Sequence, residues 1–342
     1  MEMTFRWYGH DDQVPLQYIR QIPSVTGIVS AVYDIPVGEV WPLERIEALK
    51  QEVESNGLNL SVIESVPVHE DIKLGLETRD HYIENYKQTI RNLSKAGVKT
   101  VCYNFMPVFD WTRTDLAKSL EDGSNSLNYD ESELEGLDPL SGELTLPGWD
   151  LSYQTDELKG IMDQYKEMSE QQLLDNLVYF LKEIIPVAEE EDVLMAIHPD
   201  DPPWNIFGLP RVVTNAENVK YLLNAVDSKH NGLTFCTGSF GADQNNDLFE
   251  IIDVAKDRIN FVHLRNVKRY GTKSFQEVSH QNKDGSLDMV GVIKKLKEVG
   301  FNGPARPDHG RMIFGEEGRP GYGLYDRALG AMYIAGVLDS IK

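Results

Sequence analysis

At 342 residues the chain is long enough for one large α/β domain with a sizeable core, and no run approaches the roughly 18 apolar residues that would mark a membrane span. A formal net charge of −22 at pH 7 argues against nucleic acid as a partner, because phosphates need a basic face, and it requires that any anionic substrate be met by local cations. Two cysteines, Cys102 and Cys236, exclude a disulfide framework, and the N-terminus lacks the basic start and apolar core of a signal peptide, so a reducing cytoplasm is the expected compartment.

Along the chain, eight runs read as strands: Met3–Tyr8, Thr26–Val32, Leu58–Glu64, Thr100–Asn104, Val193–His198, Leu233–Cys236, Ile259–Leu264 and the weaker Pro304–Pro307. Helical patterns alternate with them, at Leu16–Ile22, Pro42–Asn56, Arg79–Ala96, Glu170–Glu191, Ala216–Val226, Asp247–Lys256, Leu287–Val299 and Gly323–Leu338. Glycines such as Gly57 and Gly97 follow the helical runs directly, where a left-handed terminator is usual. Eight strands alternating with eight helices predict a single TIM (β/α)8 barrel over residues 1–342. The pattern breaks at 107–169, a stretch far longer than the about two to six residues of an ordinary βα loop. It carries Trp111, Tyr129, Trp149 and Tyr153, with no helical period before Asp156–Met168. Because it leaves from the end of the barrel where active sites are built, it reads as a lid or oligomerisation arm, against the plainer alternative of a solvated excursion.

His198, Cys236, His263 and Asp308 each sit at or just beyond the end of one of the last four strands. Taken singly, a strand histidine is more often a hydrogen-bonded core residue, and a cysteine among Phe and Thr is small apolar filler. Four residues of metal-ligand type, recurring once per βα unit at the strand ends of a barrel, point instead to one mononuclear metal centre. The flanking residues add chemistry. Arg265, Asn266 and Arg311 lie just past two of these positions and are candidates for gripping a substrate carboxylate or hydroxyl, the alternative for the arginines being surface ion pairs. His309 follows Asp308 directly and can face the substrate rather than the metal. Trp7 with Arg6 and Tyr8, Glu64 and Asn104 end earlier strands and would line the opposite side, Asn104 offering its amide to a substrate hydroxyl, although packing inside the barrel explains them equally well.

The segments Phe5-Arg-Trp-Tyr-Gly9, Ile197-His-Pro-Asp-Asp-Pro-Pro203, Phe235-Cys-Thr-Gly-Ser239, Val262-His-Leu-Arg-Asn266, Arg306-Pro-Asp-His-Gly310 and Pro320-Gly-Tyr-Gly-Leu-Tyr-Asp-Arg327 resemble the bacterial mannonate dehydratases of hexuronate degradation. The resemblance spans nearly the whole chain. It implies a xylose-isomerase-like TIM barrel that removes water from D-mannonate to give 2-keto-3-deoxy-D-gluconate in glucuronate catabolism. It also implies Mn2+ or Fe2+ held by His198, Cys236, His263 and Asp308, the same four residues picked out at the strand ends. A homo-oligomer, a dimer first, is the expected assembly. Loss of the proton at C2 creates a dianionic enediolate that needs a Lewis acid. Two acid/base groups must then take the C2 proton and protonate the departing C3 hydroxyl. His309 and Tyr325 are the expected pair, with Tyr322 as a substitute and Asp326 or Arg327 as helpers. A sugar isomerase or epimerase of the xylose-isomerase type is the rival reading, though such sites favour carboxylates and often two metals. A non-catalytic, zinc-stabilised sugar-acid binder is the third.

Overall fold

The computed structural model describes residues 1–135 and 155–341. Trp149 and Tyr153, singled out in the sequence, lie outside the described residues. In chain order the elements are β1 (Glu2–Arg6), α1 (Leu16–Ile19), β2 (Gly27–Ser30), α2 (Leu43–Ser55), β3 (Asn59–Glu64), α3 (Glu70–Leu74), α4 (Arg79–Lys95), β4 (Thr100–Tyr103), β5 (Asp115–Ser119) and β6 (Asn125–Asp130). They continue with α5 (Thr155–Lys166), α6 (Glu170–Glu190), β7 (Leu194–Ile197), α7 (Ala216–Ala225), β8 (Asn231–Cys236), α8 (Thr237–Gly241), α9 (Leu248–Ala255), β9 (Ile259–Leu264), β10 (Asn266–Gly271), β11 (Ser274–Val278), α10 (Met289–Glu298), β12 (Pro304–Pro307) and α11 (Leu324–Ser340).

Eight parallel strands close a barrel in the order β1-β2-β3-β4-β7-β8-β9-β12, and these are the eight expected runs. The weakest of them, β12, is nonetheless paired on both sides, Ala305 standing opposite Met3 of β1 and Val262 of β9. Its prolines occupy the first and last positions, where a missing N–H disturbs the ladder least. The helices cover the barrel by apolar stripes. On α6, Leu173, Leu177, Phe180, Leu181 and Ile184 are all buried, at the three- and four-residue spacing of one helix face. That helix starts where it does because Ser169 and Gln172 cap each other's backbone N–H groups. Inside the barrel, Val29, Val62, Cys102, Ala196 and Phe261 pack as one buried layer, the floor on which the site is built. Both cysteines are free and buried. Among the described residues no helix is long and apolar enough to cross a membrane.

A second sheet was not legible in the sequence. The hairpin β5–β6, inside the long stretch after β4, joins the hairpin β10–β11, inside the loop after β9, as an antiparallel sheet in the order β10-β11-β6-β5. Tyr129 of β6 pairs directly with Phe275 of β11, their rings stacked 5.7 Å apart, and Trp204 packs edge-on against both. The stretch after β4 is therefore tied to the barrel by a sheet that two different βα loops build together.

Candidate active site

At the C-terminal end of the barrel strands lies a cavity of about 250 Å3. Strand register brings the metal-type donors together there. Cys236 and His263 are direct partners across the β8–β9 pair, and Arg306 is the partner of His263 across β9–β12, two residues before Asp308. His198 begins where β7 ends, its N–H donating to the Tyr103 carbonyl at 2.7 Å.

One donor atom from each of His198, Cys236 and His263 lies within 4.8 Å of the others, and His198 Nε2 is 3.1 Å from His263 Nδ1. Asp308 Oδ2 adjoins the group, 3.7 Å from Cys236 Sγ and 3.9 Å from His263 Nδ1. These residues fit a divalent ion on three grounds. Two nitrogens bound to one ion at right angles, each about 2.1 Å from it, stand about 3 Å apart. The Nδ1 of His198 contacts the Pro199 carbonyl at 2.7 Å, which assigns the proton to Nδ1 and leaves Nε2 a lone pair to ligate. Burial opposes ionisation of the Cys236 thiol, but Arg265, His198 and His263 outweigh it and hold the group well below its ordinary value, in the thiolate form that binds metals. Burial alone would lower His198, yet Cys236, Glu64 and Asp308 raise it to about 9, and the proton it then carries on Nε2 is the one a bound ion would displace. Behind His263, Glu64 Oε1 stands 3.4 Å from Nε2, a carboxylate that orients a ligand imidazole. Glu64, Cys102 and His263 form a second donor group. Burial pushes the Cys102 thiol well up, keeping it neutral, and Arg6 and Arg306 already occupy Glu64, so this group suits an additional cation poorly.

Arg306 links the two halves of the site, donating to both oxygens of Glu64 at 3.0 and 3.1 Å and to Asp308 at 2.6 Å. On the other side, four fully buried charges interlock. Arg113 holds Asp201 bidentately at 3.0 and 3.1 Å and Glu277 at 2.8 Å, while Arg265 reaches Asp201, Glu277 and, at 3.0 Å, Asp308. Gly238 makes this possible, because a Cβ there would stand 2.5 Å from Arg265 Cγ and 2.7 Å from Cδ. Glu277 also meets His309 Nδ1 at 2.7 Å, and His309 Nε2 meets the Tyr322 hydroxyl at 2.8 Å. Burial, with Tyr8 and Asp308 nearby, pushes Tyr322 well above the usual phenol value, so its hydroxyl keeps its proton. Trp111 packs on His309 with ring centroids 4.8 Å apart, and Asp110 beside it also lines the cavity. Burial raises the Asp110 carboxyl, which accepts from Asn104 Nδ2.

Of the residues expected from sequence, His198, Asp308, His309 and Asn104 line the cavity, and Cys236 and His263 are buried directly behind it. Five sit elsewhere. Tyr325 is 47% exposed in the first turn of α11, its ring against Phe314 outside the cavity, and Tyr322 takes the inward position instead. Arg265 is engaged by three carboxylates, and Arg311 by Asp326 at 2.8 Å and Asp122 at 2.9 Å, so neither guanidinium is free for a substrate. Asn266 is buried with its amide bonded to the Gln281 carbonyl and the Leu287 N–H. Trp7 packs in the core and is not part of the cavity wall. Helpers proposed beside Tyr325 also move: Asp326 is tied to Arg311, and Arg327 is buried against backbone carbonyls of Gly323 and Arg6. Sequence reading missed Arg113, Asp201 and Glu277 altogether. Asp201 lies within the Pro-rich loop after His198, and its acidity beside a ligand position was the one available signal.

A family model described as D-mannonate dehydratase (UxuA) matches residues 1–342. The chain is 58% identical over 344 residues to "Mannonate dehydratase 2" of Halalkalibacterium halodurans, covering all of both chains. Among solved structures it is similar to the mannonate dehydratase of Streptococcus suis serotype 2, with 51% identity, 99% of this chain and 94% of that chain covered, and a TM-score of 0.93. A xylose isomerase domain protein from Planctomyces limnophilus, at 13% identity and a TM-score of 0.56 with 99% of this chain and 97% of that one covered, shares the fold alone.

Proposed function

We infer function from one premise: the chain belongs to the D-mannonate dehydratase family. The activity is that of a hydro-lyase, the dehydration of D-mannonate to 2-keto-3-deoxy-D-gluconate in glucuronate catabolism, with Mn2+ or Fe2+ as cofactor. The observation that carries this reading is the meeting of a two-nitrogen, sulfur and carboxylate donor group with the His309–Tyr322 pair at one cavity. An isomerase or epimerase finds no comparable support, since its resemblance to this chain is one of fold.

His198, Cys236, His263 and Asp308 would hold the ion. When bound, a divalent ion acts as a Lewis acid for the charge that develops as C2 loses its proton. His309, with Nδ1 satisfied by Glu277, offers Nε2 as the base for that proton. Tyr322, kept neutral by burial, is the acid that protonates the departing C3 hydroxyl. The imidazolium then returns its proton to the phenolate across their 2.8 Å contact, resetting both groups. Asn104, Asp110 and Trp111 are the groups in the wall for the polyol chain.

The described part of the 107–169 stretch reads as a wall or lid of the site within a single 1–342 domain, because Asp110 and Trp111 line the cavity. The reading includes a homodimer in the cytoplasm. Tyr18, Tyr325, Leu329 and Met332 expose an uncharged apolar face on which two chains of charge −22 can meet without opposing like charges.

The deciding experiment incubates metal-stripped protein with D-mannonate, with and without Mn2+, and follows the 2-keto-3-deoxy acid. Product only with metal is the expected result; a folded protein that makes none with any divalent ion would overturn the reading.

A further inference from the structure

We propose that Glu277 is a positioning residue for His309, and that the sheet built from β5, β6, β11 and β10 serves to hold it there. The inference rests on His309 being the base of the reaction proposed above.

The geometry is that of a carboxylate aligning an imidazole. Glu277 Oε1 is 2.7 Å from His309 Nδ1, and His309 Nε2 is turned toward Tyr322 and the cavity. A carboxylate at that distance accepts a hydrogen bond, so the proton lies on Nδ1 and Nε2 is left as the basic atom. Arg265 also approaches Nδ1, at 3.4 Å, but both its NH1 and the imidazole N–H are directed at the same Glu277 oxygen, which draws two donors together. Without that oxygen, the guanidinium would favour the opposite tautomer, with Nδ1 as acceptor and Nε2 blocked by a proton.

No barrel strand carries Glu277. It sits on β11, in a hairpin beyond the seventh barrel strand, and two contacts from the stretch after β4 fix it. Ser126 of β6 donates its hydroxyl to the Glu277 carbonyl at 2.7 Å, and Arg113 grips the carboxylate at 2.8 Å. All three side chains are buried. Arg113 also clasps Asp201, so the carboxylate is held between two arginines and cannot turn from His309 without leaving a buried guanidinium short of a partner. The long stretch after β4 thus acts on the reaction from two sides: Trp111 packs on the imidazole ring, and Arg113 and Ser126 hold the group that sets its tautomer.

The test uses full-length protein loaded with Mn2+, as Glu277→Gln, Glu277→Asp, His309→Asn and the double variant Glu277→Gln/His309→Asn, with metal content measured for each. Glu277→Gln is expected to keep its Mn2+ and to hold KM for D-mannonate within about threefold while kcat falls about 10- to 100-fold, the range for outer partners of a site histidine. Glu277→Asp retains the charge that Arg113 and Arg265 need and falls less. In the His309→Asn background, Glu277→Gln should cost nothing further, because a residue acting only through His309 has nothing left to act on. A separate readout needs no turnover: nitrogen-15 histidine spectra of the metal-free protein should show the Nδ1–H tautomer at the resonance lost in His309→Asn, and Glu277→Met, which removes the accepting oxygen that Gln retains, should shift that resonance toward the other tautomer. Wild-type kcat in Glu277→Gln, an undiminished loss in the double variant, or parallel loss of metal and activity in both Glu277 variants would overturn the proposal. If the wild type shows no metal-dependent dehydration of D-mannonate, the proposed reaction fails instead, and the spectra still judge Glu277 alone.

Discussion

Replacing Tyr322 by Phe removes one oxygen atom from the site and leaves nearly everything else in place. The ring stays packed edge-on against Tyr8 and His309, each 4.9 Å away, so the wall of the cavity keeps its shape. What is lost is the hydroxyl 2.8 Å from His309 Nε2, a hydrogen bond worth about 1 kcal/mol to the fold. The kinetic loss should be far larger. A positioned general acid contributes about 100- to 10,000-fold, so kcat for D-mannonate should fall by that factor, equivalent to about 2.7–5.5 kcal/mol on the barrier. Mn2+ content and KM should change little, because none of the metal-type donors touches this oxygen. The control is Tyr325→Phe, which alters a half-exposed ring outside the cavity and should leave kcat unchanged. Steady-state formation of the 2-keto-3-deoxy acid, with metal analysis of both variants, decides the matter. A Tyr322→Phe enzyme of normal kcat, or a Tyr325→Phe enzyme that has lost turnover, would refute the assignment of the acid to Tyr322.

Cys236→Ser should stay folded, since the change is small and local, yet lose bound Mn2+ and activity together; full activity with stoichiometric metal would remove Cys236 from the ligand set. Arg113→Met leaves Asp201 and Glu277 to share Arg265 as their one guanidinium partner and so removes one charge from a buried quartet; it should cost about 3–5 kcal/mol, read from the denaturant midpoint, whereas a change under about 1 kcal/mol would mean the quartet contributes little. Acid should unfold the protein steeply. Burial works to raise Glu64, Asp201, Glu277 and Asp308, but neighbouring arginines and histidines outweigh it and hold all four below their ordinary values. Folded values below the unfolded ones, which lie near about 4, mean that this stability is present above about pH 4 and is lost as pH falls through the folded values. A denaturant midpoint at pH 3 equal to that at pH 7 would contradict this.

By itself the sequence determined the barrel and the donor positions. Strand and helix alternation is a local property, written in runs such as Val193–Ile197 and in the apolar stripe of α6, and a residue at a strand's end must open toward the same rim as its neighbours in the other strands. His198, Cys236, His263 and Asp308 could therefore be found from position alone. Only the tertiary structure decided which polar side chains reach the cavity. Tyr322 and Tyr325 are three residues apart, but Gly323 separates an inward turn from the first turn of a helix whose outer face Tyr325 joins, and nothing in their order distinguishes them. Arg265 and Arg311 carried the right chemistry for an anionic substrate, yet Asp201, Glu277, Asp308, Asp122 and Asp326 claim them, carboxylates brought close by folding rather than by spacing. The pairing of β6 with β11 joins residues nearly half the chain apart, and a sheet edge carries no local mark of its partner. That pairing, absent from any window of the sequence, is what sets Glu277 against His309.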